Sequence, residues 1–367
     1  MTEFEDWTES STGDRKALPG RPPAHRGKSD PAEKATSLEV AERAGVSRSA
    51  VSRTFTPGAS VSKKTAEKVR LAAEELGYRP NMLARSLMTG RSRIIGLVAA
   101  YLDNQFYPAA LEKLTHVLQA KGYHVLMFMA SQKAGNIDTV LEQILDYQVD
   151  GLILASIAAS SDLAERCRAA DVPVVLFNRR DENALRNSVT SDNFEGGRLA
   201  AELLVAGDHR RIAHIAGWLG ASTARDREAG FRAGLAEAGL SLAAHGAAEF
   251  DPERARSLAR EMFAGPDRAD SVFVATDNMA IKVMDTLRYE IGLRVPEDVS
   301  VIGFDDVPAA AWPSYDLTTI RQDPDALAGE TVRLLLRAIE LQDGQDEQVV
   351  LPVEPVIRGS AKLLYRK

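Results

Sequence analysis

The chain is poor in the residues that mark secreted and membrane proteins. It has a single cysteine, Cys167, and no run of 18 or more apolar residues. One cysteine excludes an intramolecular disulfide framework and a cysteine-rich zinc site, and the missing apolar run excludes a membrane-spanning helix. Residues 1–8 are acidic and lack the apolar core of a secretory signal. The sequence therefore predicts a protein of the reducing cytoplasm, without a membrane partner.

Positive charge is scarce over most of the chain and concentrated in one segment. Residues 36–95 carry 11 Lys and Arg against 5 Asp and Glu, whereas residues 96–367 carry 28 against 40. The net charge of −7 conceals this asymmetry. A basic segment fused to a large acidic body indicates contact with nucleic acid at one end only.

The first 35 residues have few large apolar side chains and are rich in Ser, Gly, Pro and charge. This composition predicts a disordered N-terminal extension over residues 1–35. Its stretch 20–28 is basic and broken by proline, which would also suit an arm that follows DNA. A solvated tail is the favoured interpretation.

Residues 36–79 predict three short helices. Thr36 and Glu39 have the spacing of a capping box, Ser47 and Ser62 can cap the second and third helices, and Gly77 ends the third. Within the first two helices, residues 41, 45 and 51 are Ala, Gly and Val. A small residue, a turn glycine and a buried valine at this spacing are typical of a helix-turn-helix, which predicts a DNA-binding domain.

Residues 80–92 predict a hinge helix and linker. Asn81 can cap a helix that runs from residue 82 to about residue 89. Such a short helix is marginal alone in water, so we expect it to form only when it packs against something.

From residue 93 onward, apolar strands alternate with amphipathic helices. The strands are predicted at residues 94–100, 124–129, 151–155, 172–177, 212–216, 271–275, 299–304 and 317–321. This alternation predicts an α/β body of two parallel-sheet subdomains over residues 93–367. We expect an N-subdomain at about 93–160 and 322–349, and a C-subdomain at about 161–321 and 350–364.

Polar and aromatic side chains follow these strands, where ligands bind in open α/β sheets. The candidates are Asp103, Asn104, Phe106, Asn178, Trp218, Arg227, Asp277, Asp305 and Gln322. Carboxylates, amides and an arginine can bond hydroxyl groups, and aromatic faces can cover the C–H side of a sugar. The combination suits a polyol. The alternative for Trp218 is a place in the core or at the rim.

The motifs of the basic segment and of the body resemble one family. Residues 38–47 read LEVAERAGVS, and AVSR at 50–53, LGYRPN at 76–81 and ARSL at 84–87 follow in order. This series resembles the LacI/GalR family of bacterial transcription repressors. Residues 227–231, REAGF, match a motif of the family's effector domain, which is similar to periplasmic sugar-binding proteins. Thr276 stands where several members have Asn, which leaves the recognised hydroxyl pattern open.

The resemblance implies a homodimer on pseudo-palindromic operator DNA, controlled by a small sugar-like effector in the cleft. It implies base reading at Arg48 and Ser49, and insertion of Leu87 into the minor groove. The DNA-contact candidates are Ser47, Arg48, Ser49, Ser52, Arg53, Ser62, Lys63, Asn81, Ala84 and Leu87. Both modes of the family, release by an inducer and tightening by a corepressor, remain open.

Two other classes fit less well. An enzyme is disfavoured because the chain contains none of the nucleotide-binding, nucleophile-elbow or zinc-protease motifs. We therefore predict no catalytic residue, metal site or cofactor. A secreted sugar-binding protein is disfavoured by the basic segment. The short C-terminus has no room for a leucine heptad tail, which disfavours tetramers of that kind but leaves the choice between dimer and tetramer open.

Overall fold

The computed structural model describes residues 35–56, 58–80, 90–100, 102–130, 136–157, 161–180, 187–341 and 346–363. These residues form two compact units, one before residue 82 and one after it. Except for Ala35, the extension predicted to be disordered lies outside the described residues. So does the whole predicted hinge helix, residues 82–89, together with its predicted cap, Asn81.

The first unit is a three-helix domain of α1 (Ser37–Ala44), α2 (Arg48–Thr54) and α3 (Lys63–Glu75). All three predicted helices are confirmed, and so is the capping box of α1. Glycine at position 45 has a φ of 64°, a backbone conformation that glycine adopts without strain. Val40, Val51 and Val69 are fully buried and hold the helices together.

The second unit contains two six-stranded sheets, as the strand and helix alternation predicted. The first sheet has the order β11-β5-β4-β3-β1-β2 and is parallel throughout. Its strands are β1 (Ile94–Ala99), β2 (His124–Met129), β3 (Gly151–Ala155), β4 (Val174–Phe177), β5 (Asn187–Ser191) and β11 (Gln348–Leu351). The helices of this subdomain are α4 (Phe106–Ala120), α5 (Asn136–Asp146), α6 (Ser161–Ala169) and α11 (Pro324–Leu341).

The second sheet has the order β12-β10-β9-β8-β6-β7 and is parallel except for the β10–β12 pair. Its strands are β6 (Ile212–Ala216), β7 (Ala244–Ala247), β8 (Ser271–Val274), β9 (Ser300–Asp305), β10 (Thr318–Arg321) and β12 (Glu354–Val356). The helices are α7 (Asn193–Ala206), α8 (Ser222–Glu237), α9 (Pro252–Phe263) and α10 (Asp277–Asp285), with a π-helix at Thr286–Ile291 and a 3-10 helix at Pro308–Ala311.

The chain passes between the subdomains three times. The passages lie at residue 192, at residues 322–323 and at residues 352–353, between elements that belong to different sheets. The boundary predicted at residue 160 is therefore about thirty residues too early, since β4 and β5 pair within the first sheet. No linker-like segment marks this passage in the sequence, because a single residue, Asp192, follows β5 and also caps α7. Over the described residues, no helix has the length and apolar character needed to cross a membrane.

Candidate functional site

Helix α2 presents a basic face to solvent. Arg48, Ser49 and Arg53 are exposed, whereas Ala50 and Val51 are buried against the rest of the domain. The exposed side chains are oriented by local contacts: Arg48 Nε donates to Ser37 Oγ at 3.0 Å, and Arg53 Nε donates to the Ser49 carbonyl at 3.3 Å. The predicted outward positions of a recognition helix therefore share one accessible surface.

The other DNA-contact candidates divide into two groups. Ser47, Ser52, Ser62 and Lys63 are exposed. Ser47 Oγ and Ser62 Oγ accept from the amides of residues 50 and 65, at 3.2 and 3.1 Å, so both serines also cap helices. Asn81, Ala84 and Leu87 lie outside the described residues.

In the second unit, a pocket opens between the carboxyl ends of the two sheets. It has about 440 Å³ of empty volume, part of it open to solvent. Its lining residues are Asp103, Asn104, Phe106, Tyr107, Ser156, Asn178, Thr223, Arg227, Phe250, Thr276, Asn278 and Asp305. Six of the nine predicted ligand contacts are on this wall. They lie together because the carboxyl ends of parallel strands meet at the same edge of a sheet.

A buried pair of opposite charges, Arg227 and Asp305, forms part of the pocket wall. Their side chains are about 2–3% exposed, and Arg227 Nη2 is 3.6 Å from Asp305 Oδ1. Arg227 Nε donates to Asn193 Oδ1 at 2.8 Å, and Nη1 donates to the Ala275 carbonyl at 2.5 Å. The guanidinium also stacks on Phe304, 3.6 Å from the ring centroid. These contacts fix the arginine in one orientation.

Burial strongly perturbs the ionisation of the carboxyl groups here. It raises the pKa of Asp305 to about 6, although the positive charge of Arg227 and hydrogen bonds from Asn104 and Gln322 oppose the shift. Burial, together with the negative charge of Asp305, raises the pKa of Asp277 to about 7. Burial also lowers the pKa of Arg227. A site with such shifts is a functional candidate on physical grounds.

The backbone is unusual where strands end at the pocket. Ser156 follows β3 with a φ of 64°, Asn178 follows β4 with a φ of 54°, and Asp305 ends β9 with a φ of 123°. Residues other than glycine rarely adopt positive φ values, and such conformations concentrate at binding sites. Each of these three residues contributes a polar side chain to the pocket wall.

Asn178 has spare hydrogen-bonding capacity. Its Nδ2 donates to the Tyr107 hydroxyl at 3.4 Å. The residue is 3% exposed, and its Oδ1 has no hydrogen-bond partner among the described residues. A buried carbonyl oxygen without a donor is costly, so a ligand hydroxyl at this position would be stabilised.

Two phenylalanines supply apolar surface to an otherwise polar wall. Phe106 begins α4, and Phe250 follows β7. Gly217 leaves room for the Phe250 ring, because a β-carbon at position 217 would lie 2.2 Å from a ring carbon. Sequence reasoning missed Phe250 because strand β7, which places it, has no apolar run. It missed Tyr107, Ser156, Thr223 and Asn278 as well, although Ser156 directly follows a predicted strand and Thr223 lies one helical turn before Arg227.

Three predicted ligand contacts are not on the pocket wall. Asp277 is fully buried and turned inward, where Oδ2 accepts from the Val307 amide at 2.9 Å and Oδ1 from the Thr319 hydroxyl at 2.6 Å. Gln322 is buried behind Asp305 and donates to its Oδ1 at 2.7 Å. Trp218 follows β6 as predicted but is half-buried outside the lining. The rule that ligand-binding residues follow strands therefore identified residues near the pocket, but it did not predict which of their side chains face into it.

Comparisons with known proteins divide the chain in the same way. Residues 37–81 match the model of bacterial regulatory proteins of the lacI family, and residues 200–361 match a periplasmic binding protein-like domain. The ribose operon repressor of Escherichia coli K12 is 31% identical over 330 residues, which cover 89% of this chain and all of that protein. The repressor PurR of Vibrio parahaemolyticus is 30% identical over 335 residues, which cover 90% of this chain and 99% of that protein. The structure of the Lac repressor dimer bound to operator and the anti-inducer ONPF matches with a TM-score of 0.81 and 30% identity, covering 90% of this chain and all of that one.

Proposed function

The chain belongs to the LacI family of bacterial regulatory proteins, and we propose that it represses transcription from operator DNA under the control of a small polyol-like effector. The observation that carries the proposal is the combination in one chain of an exposed basic helix, α2, and a pocket whose wall holds the buried pair Arg227 and Asp305. The first suits DNA, and the second suits a small polar molecule. We further propose that the protein acts in the cytoplasm as a homodimer.

Helix α2 is assigned to the major groove. An arginine in this position can bond the O6 and N7 atoms of guanine, and such a contact contributes about 1–3 kcal/mol of discrimination. Arg48, Ser49 and Arg53 are exposed on the same helix; we assign Arg48 and Ser49 to bases, and Arg53 to bases or phosphates. One such domain makes few contacts, so a dimer on two half-sites fits the proposal.

The pocket chemistry favours a compound with several hydroxyl groups. Asp103 and Asp305 can accept hydrogen bonds from hydroxyls, Arg227 can donate to them, and Phe106 and Phe250 supply apolar faces. Because Arg227 and Asp305 offset each other's charge, this part of the pocket wall suits a neutral ligand better than an ion. The relatives named above are repressors, and we propose binding without turnover for this pocket.

The DNA assignment is tested by selecting operators from a random DNA library and measuring affinity by fluorescence anisotropy. Arg48→Ala is expected to weaken binding to the selected sequence about tenfold to hundredfold, the equivalent of one base contact. Arg70→Ala removes the same charge from an exposed site on α3 and serves as the control. If no common sequence is selected, or if both variants lose the same affinity, the assignment of α2 is overturned.

The effector assignment is tested by a thermal-shift screen of monosaccharides, disaccharides, sugar acids and sugar phosphates. A ligand at one hundred times its Kd adds about 2.7 kcal/mol to the stability of the folded state. We expect a neutral sugar to stabilise the protein, and Asn278→Ala, which truncates a wall residue, to reduce the shift. If only charged compounds stabilise the protein, the assignment to a neutral polyol is overturned.

A further inference from the structure

Two positively charged side chains lie at the end of the first sheet that is opposite the pocket. The pocket is at the carboxyl ends of the strands, whereas Arg93 directly precedes β1 and Lys121 lies three residues before β2. Both residues are exposed. We call this pair the basic edge. It is separate from the surface of α2 and from the pocket wall.

Arg93 is held in an unusual backbone conformation, with a φ of 59°. Its amide donates to Asp150 Oδ2 at 3.1 Å, and its carbonyl accepts from the His124 amide at 2.8 Å. Its guanidinium lies over the ring of Tyr123, 4.9 Å from the centroid. A positive φ in a residue other than glycine persists only where the surrounding structure enforces it, and such residues cluster at functional sites. The arginine is therefore fixed at this edge by both its backbone and its side chain.

Lys121 is positioned by the turn between α4 and β2. Its amide donates to the Leu118 carbonyl at 3.0 Å, and the Tyr123 amide donates to the same carbonyl, also at 3.0 Å. Tyr123 is buried, with 3% of its surface exposed, and it precedes the strand pair in which Ile94 faces His124. The turn is therefore anchored next to Arg93, with Lys121 on its solvent side.

The basic edge stands out in an acidic part of the chain. Residues 96–367 carry 28 Lys and Arg against 40 Asp and Glu. The carboxylate that contacts this edge, Asp150, is half-buried and accepts from the backbone amides of residues 92 and 93 and from the Ser92 hydroxyl. Because its hydrogen bonds are used within the loop, the two positive side chains face solvent and suit a negatively charged partner.

The chain also connects the basic edge closely to the DNA contact proposed at Leu87. Arg93 follows Leu87 by six residues. An extended chain spans at most about 3.3–3.6 Å per residue, so the two residues lie within about 22 Å of each other. Duplex DNA carries one negative charge per about 1.7 Å of its axis. With Leu87 in the minor groove, several phosphate groups therefore lie near this edge.

We propose that Arg93 and Lys121 of the α/β body bind phosphate groups of the operator, as a second DNA-contact surface besides α2. The proposal rests on the proposed function, since it adds a contact to the same DNA complex. A guanidinium and an ammonium both bind phosphate through charge-assisted hydrogen bonds. Contacts to phosphate hold a protein on the duplex but do not read its sequence. The basic edge thus contributes affinity, whereas α2 contributes specificity.

The test is the salt dependence of DNA binding by the full-length protein, measured by fluorescence anisotropy. The double variant Arg93→Gln with Lys121→Gln removes both charges and keeps most of the side-chain bulk. Its affinity is compared with that of the wild type for the selected operator and for an unrelated duplex of the same length.

We expect the double variant to bind both duplexes about tenfold more weakly at the same salt concentration, because exposed phosphate contacts are partly screened. The ratio of the two affinities should stay unchanged, since phosphate contacts weaken binding uniformly across sequences. The slope of log affinity against log salt concentration should become shallower by about 1.8 for each chain bound, or about 0.9 for each lost contact. Arg48→Ala should instead lower the ratio.

Two controls separate a phosphate contact from a general effect of charge or of structure. Arg254→Gln removes a half-exposed positive charge from α9 and should leave the slope unchanged. Arg93→Lys with Lys121→Arg keeps both charges and should restore most of the affinity and of the slope.

An unchanged slope in the neutral double variant would overturn the proposal. So would an equal change in Arg254→Gln, or a charge-retaining variant that binds as weakly as the neutral one. A failure of the proposed function would appear differently, as a wild-type protein that binds both duplexes equally; the change in slope would still test the basic edge. A wild-type protein that binds neither duplex would overturn both.

Discussion

Arg227→Ala is expected to lower the free energy of unfolding by about 3–5 kcal/mol, the usual cost of removing one partner from a buried ion pair. The structure explains why the cost is high. Asp305 would keep its burial but lose the nearest positive charge, 3.6 Å away. The Asn193 amide oxygen and the Ala275 carbonyl would each lose a donor, and the ring of Phe304 would lose the guanidinium stacked on it.

The loss should also depend on pH in a defined direction. In the wild-type protein the pKa of Asp305 is raised from 3.8 to about 6, so stability falls as the pH rises through this interval and then levels off. Without Arg227 the pKa of Asp305 should rise further, and the variant should continue to lose stability above pH 6. The difference between the two proteins should therefore be larger at pH 8 than at pH 6.

Urea denaturation at both pH values measures these quantities. Arg225→Ala, a more accessible arginine of the same helix that donates to the Leu219 carbonyl, is the control and should cost about 1 kcal/mol or less. Combining Arg227→Ala with Asp305→Asn should recover part of the loss, because the uncompensated charge is gone. If the two single effects add to within about 0.5 kcal/mol in the double variant, Arg227 and Asp305 do not stabilise each other as a pair.

Leu87→Ala should weaken operator binding strongly while leaving effector affinity nearly unchanged, because an inserted leucine touches only DNA; operator affinity within about twofold of wild type would contradict this role. Asp277→Asn should flatten the pH dependence of the melting temperature, since the wild-type protein loses stability as the pH rises from 3.8 towards the raised pKa of about 7. An unchanged slope would show that Asp277 is ionised throughout. Gly303→Ala should destabilise the protein by about 1–3 kcal/mol because its β-carbon would overlap the Asp277 carboxylate; thermal melting at pH 7 measures it, and wild-type stability would contradict the packing.

The sequence predicted best those elements whose own residues carry a strong signal. Strands β2, β3 and β6 begin and end where the apolar runs do. The caps of the first three helices depend on local side-chain chemistry and were also predicted. Strand β5 was missed because its residues, NSVTS, are mostly polar although all five are buried. Their burial comes from neighbouring strands and from α11, which no local pattern reveals.

In the candidate site, too, residues with a local sequence signal were predicted, and features that depend on tertiary packing were not. Asn178 and Asp305 follow apolar strands and were found by that rule. The inward direction of Asp277 depends on Val307 and Thr319, which are 30 and 42 residues away along the chain. The hydrogen bond from Gln322 to Asp305 depends likewise on the pairing of β9 with β10. Contacts of this kind are fixed by tertiary packing, so the sequence could name the residues but not their functions.

Whether a sugar in the pocket controls DNA binding is tested most simply by measuring the affinity for the selected operator in the presence and absence of each sugar of the panel. Coupling between two sites of a regulator is typically about 1–3 kcal/mol, or about fivefold to 150-fold in affinity. We predict that at least one neutral sugar changes operator affinity within this range, and that the change disappears in Arg227→Ala. Operator binding that no sugar alters, or that responds equally in Arg227→Ala, would contradict it.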